Sequence, residues 1–395
     1  MIFLLNFFWF LHVFLNSSIP VGGLSVVKTI FFLVLLLTSI ISILFYRIKI
    51  KVSTFLFLVL PYFILIVYYI ETLALSRHDG GGIHQLVSMS CMLLSVQLGL
   101  ILCRRNLLSS VSVFRGLILG LFTYGTVKLL ITTLIFFKVL PLSFISFFSP
   151  DMTSLGNIGL PGFHRFASVN DFLVPFVYFF IFRAKLSDIL QRIVKVMFLV
   201  TILLSFTRSV WAIFAILFFI SNMRSIKFTI AAIGSVFIIS SLLVYLENYT
   251  DFSILTSIEH RLFVEGSGST SEKVRQSEIL VSELESYAIY GKGLGTYVER
   301  YIRNERLKYG YEVSWLIYSI QFGLPVLTFW LLYLFSPFLT FFQVSKFKYK
   351  QLFPPFCMFL FLSIGFTNPI ILGNLTALLY LFFYLCSREE YQYES

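Results

Sequence analysis

Arginines set in otherwise apolar sequence are the residues of this chain best suited to chemistry. Arg165 stands in Gly162-Phe-His-Arg-Phe-Ala-Ser-Val-Asn170 and Arg208 in Ser205-Phe-Thr-Arg-Ser-Val-Trp211. Arg261 and Arg275 lie in a long polar stretch that also carries Lys292, within Gly291-Lys-Gly-Leu-Gly295. A planar guanidinium binds phosphate through paired hydrogen bonds, so arginines gathered on one side of a membrane suit a pyrophosphate-bearing ligand. For any one of them the plainer role is snorkelling to lipid headgroups or pairing with a carboxylate. Glu312, in Tyr311-Glu-Val-Ser-Trp-Leu316, is the candidate general base, because partial burial at a membrane interface raises a carboxyl pKa toward a useful range. Its plainer role is to place negative charge at the start of the next helix. His164 could shuttle a proton beside Arg165. His78 and His84 flank Asp79 without the spacing of a metal site, and neither metal nor cofactor is expected. The Gly291–Gly295 stretch is no nucleotide loop, since Ser or Thr does not follow its Gly-Lys pair and no strand leads into it. Three glycines in five residues instead permit a tight turn or a close backbone approach to a bulky ligand.

The elements that must position these residues are membrane helices. Hydrophobic residues make up 58% of the chain and charged ones 12%, too few to build a water-facing shell. Apolar runs long enough for helices of about 20 residues recur from end to end, and the period-2 alternation of a barrel is absent. Twelve spans are expected, near 2–16, 26–46, 53–74, 85–103, 112–137, 167–183, 190–207, 209–222, 228–246, 313–340, 352–371 and 373–387, giving an all-α polytopic protein with a single membrane domain over 1–395. The first run, Ile2 to Leu15, lacks a basic flank and a cleavage site and reads as a retained span. Basic clusters at Arg47 to Lys51, Arg104 and Arg105, Arg183 to Lys195, Arg224 and Lys227, and Lys346 to Lys350 fall in alternate loops, which places both termini in the cytoplasm. Those loops account for the net charge of +11 without nucleic acid as a partner. The four cysteines show no disulfide or metal pattern.

Three outer loops depart from short connections: 76–84, 138–165 and the long loop 247–312 between spans nine and ten. Interleaved charges make the last a water-facing element. Within it, Ser269 to Ser286 reads as a helix with an apolar set at Val274, Ile279, Leu280, Val281 and Leu284, either lying on the membrane surface or serving as an ordinary connector.

Read in order, these segments resemble the O-antigen polymerase and ligase superfamily, in particular its Wzy-type polymerases, over roughly Pro161 to Gly323. Phe163-His-Arg165 followed by Asn170 is similar to an Arg-to-Asn motif entering a central span. Leu204-Ser-Phe-Thr-Arg208-Ser-Val-Trp211 resembles a Ser/Thr-Arg-Ser turn. Ser271-Glu-Lys-Val-Arg275 leading to Tyr290-Gly-Lys-Gly-Leu-Gly295 is similar to the stretch joining a loop arginine to a glycine turn. Glu312-Val-Ser-Trp-Leu316 through Gly323 stands where ligases carry His-Asn-Ser-Tyr-Leu and then Gly-Leu, and Glu312 in place of that histidine favours polymerase over ligase.

The resemblance implies a metal-independent, GT-C-like glycosyltransferase in the bacterial inner membrane. It would polymerise undecaprenyl-pyrophosphate-linked oligosaccharide repeat units at the periplasmic face, with lipid-linked donor and acceptor as partners and a chain-length regulator as a further one. Glu312, Arg275 and Arg208 would be catalytic; Arg165, His164, Arg261, Lys292, Tyr311 and Asn170 would bind substrate. An O-antigen ligase and a flippase for the same lipid-linked unit remain the alternatives, the long outer loop weighing against the flippase.

Overall fold

A computed structural model describes the chain apart from residues 21–23, 76–80, 145–153, 158–163, 223–264, 303–307, 343–348, 367–372 and 393–395. Uncharged runs of Leu, Ile, Val and Phe can satisfy their backbone in lipid only as helices. The first five expected spans become α1 (Ile2–Ser18), α2 (Ser25–Phe45), α3 (Val52–Ala74), α4 (Gly82–Arg104) and α5 (Ser110–Phe136). Next come an antiparallel pair, β1 (Ser154–Asn157) and β2 (His164–Ala167), and α6 (Val174–Tyr178) with 3-10 turns at Val169–Phe172 and Ile181–Ala184. The chain continues through α7 (Asp188–Leu204), α8 (Arg208–Asn222), α9 (Glu265–Tyr287), α10 (Ser314–Phe342), α11 (Tyr349–Ser363) and α12 (Asn374–Gln392).

Five segments, α2 to α5 and Ser314–Phe338 of α10, are long and apolar enough to cross a membrane, so this is a helical, membrane-embedded protein. Ile2–Ser18, Val169–Tyr178, Arg208–Asn222 and Leu352–Ser363 are shorter apolar helices, and the expected span 228–246 lies outside the described residues.

Two departures from the expected pattern matter. The span expected at 167–183 is not one helix but three short pieces. Ser168 and Asp171 form a reciprocal capping box that starts a new helical turn, Pro175 opens α6, and Lys185 closes the last turn at φ 50. The second departure is the β1–β2 ladder within an otherwise helical fold, which pairs Gly156 with Arg165 and Asn157 with His164. Phe166, on β2, is buried with Ile131 and Ile135 of α5.

The chain groups into two compact units. One comprises Met1–Leu5, Leu37–Leu108 and Thr270–Ser395; there α4 packs on α3 and α12, α11 packs on α12, and α10 touches both α3 and α12. The other comprises Asn6–Leu36 and Ser109–Ser269, where α5 packs on α7 and on the Ile181–Ala184 turn. Small residues let its backbones approach: a Cβ at Gly116 of α5 would lie 2.8 Å from the Phe10 carbonyl of α1, and one at Gly120 would lie 2.8 Å from the Phe14 carbonyl.

Candidate functional site

In the first unit the glycine stretch answers a break in α10. Pro325 has no N–H to offer Gln321, and Gly323 leaves helical geometry at φ 71 and ψ 158. The carbonyls of Ile320, Gln321 and Phe322 therefore need other donors. Lys292 N reaches Ile320 O at 2.7 Å, Gly293 N reaches Gln321 O at 3.0 Å, and the Tyr68 hydroxyl of α3 reaches Phe322 O at 2.9 Å. Leu324 N turns to Ala288 O at 2.7 Å. Gln85 of α4 completes the junction, accepting from Gly295 N and donating to the Gln321 side chain, both at 2.8 Å. Gly291 and Gly293 take φ values of 80 and 102, and a side chain on Gly291 would run into the Gln321 carbonyl. Of the two uses expected for this stretch, the tight turn is the one formed.

Lys292 is engaged within the same junction. Its ammonium lies 2.8 Å from the Glu283 carboxylate and 3.2 Å from Tyr297 O, with the Tyr287 ring 5.4 Å away.

The polar rim lies one step outward, where the chain enters α10. The Ile279, Leu280 and Leu284 face of α9 packs against Tyr297, Val298, Tyr311, Val313, Ile317 and Ile320, so that face is a connector buried in protein; Val274 and Val281 are exposed. Gln276, fully buried, receives Glu312 N on its side-chain oxygen at 2.9 Å and donates to the Tyr301 hydroxyl at 3.1 Å. That hydroxyl also donates to the Glu272 carboxylate, while the Arg275 guanidinium stands 5.9 Å from the Tyr301 ring centroid. The Glu312 carboxylate lies 3.5 Å from Lys273 Nζ, both side chains partly exposed. Tyr311 donates to Tyr301 O at 2.9 Å and accepts Val298 N at 2.9 Å. Burial pushes the Tyr311 phenol up to about 12, so it stays a protonated donor at neutral pH.

Three expected residues, Arg275, Tyr311 and Glu312, therefore share a rim around Tyr301, immediately before the first residue of a membrane-length helix. Lys273, Gln276 and Tyr301 complete it and were not anticipated. The available signal was spacing: Lys273 and Gln276, three positions apart, share a helix face.

No family model, curated protein or solved structure matches the chain.

The remaining expected residues belong to the second unit or lie outside the described residues, as Arg261 does. Arg208 is the first residue of α8, partly exposed, after a link of Ser205, Phe206 and Thr207 in which the Trp211 indole donates to Ile202 O at 2.8 Å. His164 and Arg165 sit on β2. Asn170 is buried, and its amide donates to Ser17 O at 2.8 Å, capping the last turn of α1 together with Lys28, which reaches Ile19 O and Pro20 O at 3.0 and 2.9 Å.

The next residue, Asp171, anchors an ion pair that the sequence reading missed. Lys128 Nζ lies 2.7 Å from Asp171 Oδ1 with both side chains sealed from solvent. Tyr124 donates to the same oxygen at 3.0 Å, and Ser168 N donates to Oδ2 at 3.0 Å. Lys128 is the one charge between Arg115 and Lys138, a signal legible in the sequence. At the other end of the broken segment, Arg115 Nε donates to Ala184 O at 2.9 Å. Two cations of α5, 13 positions and about 20 Å apart along the helix, thus pin both ends of the piece that replaces the expected span. Among the described residues no three His, Cys, Asp or Glu side chains gather as metal ligands would.

Proposed function

We propose that this chain is a glycosyltransferase of the bacterial inner membrane that joins undecaprenyl-pyrophosphate-linked oligosaccharide units at the periplasmic face. In this reading the chain crosses the membrane about twelve times, both termini are cytoplasmic, and the 247–312 loop faces the periplasm. The observation that carries it is the rim of Arg275, Tyr301, Tyr311 and Glu312 directly outside α10. A carboxylate, a guanidinium and phenolic groups at a membrane boundary match the needs of a substrate whose sugar is wet and whose carrier is lipid.

In the reaction, a hydroxyl of the acceptor sugar attacks the anomeric carbon of the donor. The bond from that carbon to the phosphate oxygen breaks, and the glycosidic C–O bond forms. Glu312 takes the proton of the attacking hydroxyl, with Lys273 Nζ 3.5 Å from its carboxylate. The lipid pyrophosphate leaves carrying the negative charge, which Arg275 stabilises. Holding both glycans at one rim makes the attack effectively intramolecular.

One observation favours a second reading, transport of the same lipid-linked unit. A sealed Lys128–Asp171 pair in an apolar helix is costly and tends to mark a pathway. Deleting the gene and sizing surface polysaccharide separates the readings. Loss of a polymerase leaves a single repeat unit on the lipid core; loss of a ligase leaves long lipid-linked polymer unattached; loss of a flippase leaves no repeat on the core. Arg275→Ala and Glu312→Gln, checked for normal membrane abundance, are expected to reproduce the single-repeat pattern. Normal ladders from both would count against the rim as the reaction site.

A further inference from the structure

The contacts of α9 fix its direction relative to α10. Gln276 meets Glu312 N, and Ala288 O meets Leu324 N, so the same separation in sequence recurs twelve residues later. Helices that keep a constant offset run side by side in the same direction, here for about 18 Å. After Tyr290 the chain reverses. Lys292 and Gly293 bond Ile320 and Gln321, whereas Val298 and Tyr301 meet Tyr311, so the return strand climbs back toward the start of α10.

The turn therefore sits beside Ile320 to Phe322, six to eight residues beyond Ser314, or about 9–12 Å along α10. On the α3 side it meets Tyr68 and Thr72, before that helix ends at Ala74. Both helices are of membrane-crossing length and composition, so the turn lies below their ends. Irregular backbone at that depth is tolerated only where protein satisfies its polar groups, and the Ile320, Gln321, Gln85 and Tyr68 bonds do so. The chain carries no charge between Glu285 and Lys292. At the tip, Ile289 is 64% and Tyr290 81% exposed, beside the exposed Leu324.

We infer that α9 and its return strand form a re-entrant hairpin, entering the leaflet where α3 ends and α10 begins, with Ile289 and Tyr290 seated in lipid. The partner of this surface is the bilayer at its headgroup–acyl boundary, where a Tyr beside a bulky aliphatic residue is favoured. This contact stands independently of the reaction at the rim.

The test uses the full chain, its four native cysteines replaced by alanine, in vesicles of phosphatidylethanolamine and phosphatidylglycerol. A nitroxide is attached to Ile289→Cys, Tyr290→Cys or, on the exposed surface of α9, Glu278→Cys. Collision with oxygen, which partitions into lipid, is compared with collision with a water-soluble nickel chelate. Labels at 289 and 290 are expected to show an oxygen-to-nickel ratio several-fold above that at 278. Nickel access at 290 equal to that at 278, or shielding of 290 from both agents, overturns the inference. Where the cysteine-free chain does not fold, Tyr290→Trp in the native background gives the same answer. Brominated lipid is then expected to quench more emission than it does from the four native tryptophans, and unchanged quenching overturns the inference.

Discussion

Lys128 meets Asp171 at 2.7 Å with both side chains closed off, whereas Lys273 meets Glu312 at 3.5 Å with 29% and 22% of their surfaces exposed. The same two chemistries thus occur once dry and once wet. The dry pair, flanked by Tyr124 and the Ser168 amide, has its geometry over-determined and holds a broken segment against α5. The wet pair is longer and partly exposed, and it is joined to Tyr301 and its neighbour Arg275 through Gln276. Rigidity belongs where a backbone irregularity must be held in an apolar setting; partial exposure leaves the Glu312 carboxylate reachable from solvent.

The sharpest way to break this contrast is at the dry pair. Lys128→Met leaves the Asp171 carboxylate buried without its counter-charge, and a loss of about 3–5 kcal/mol is expected in unfolding of the detergent-solubilised protein. The Lys128→Met, Asp171→Leu double variant removes the uncompensated charge and is expected to recover only part of that loss, because the Ser168 amide and the Tyr124 hydroxyl lose their acceptor; if it restores folding but not product, the pair serves more than architecture. Next in size is Gly291→Ala, which forces a side chain toward the Gln321 carbonyl at positive φ and is expected to cost about 2 kcal/mol, read as a lowered Tm.

Tyr311→Phe follows at about 1–2 kcal/mol, because the buried Val298 N–H loses its acceptor. It carries a pH signature. The folded phenol titrates near 12, above the value of about 10 usual in an unfolded chain. Its contribution is therefore complete below pH 10 and lost as pH rises from 10 through 12, and Tyr311→Phe should flatten that alkaline decline in a melting series. Smallest is Lys273→Met. Removing a partly exposed partner at 3.5 Å should change stability by less than about 1 kcal/mol and lessen its salt dependence. A large loss of stability there would erase the distinction between wet and dry.

Much of the helical frame was legible from apolar runs, because α1 to α5 coincide with the expected spans to within a few residues. Hydropathy misread 167–183, since Val, Phe and Tyr around Asn170 and Asp171 average to an apolar run while two polar side chains reorganise the backbone locally. Of the site, Arg275, Tyr311 and Glu312 were recognisable by type and position; Tyr301 and Gln276 were not, because their roles arise from packing between α9 and the return strand. The glycine stretch suggested a turn, but its partner is the carbonyl freed by Pro325, about thirty positions away. No local pattern links the two.

That junction has a wider consequence. It is made largely of amides and carbonyls, which every residue carries, so it constrains few side chains beyond its glycines, Pro325, Gln85, Gln321, Tyr68 and Thr72. Divergence could rewrite nearly all of the neighbouring letters and leave the splice intact. Distant kin would then be recognised by where a proline falls opposite a glycine cluster, and hardly at all by overall identity.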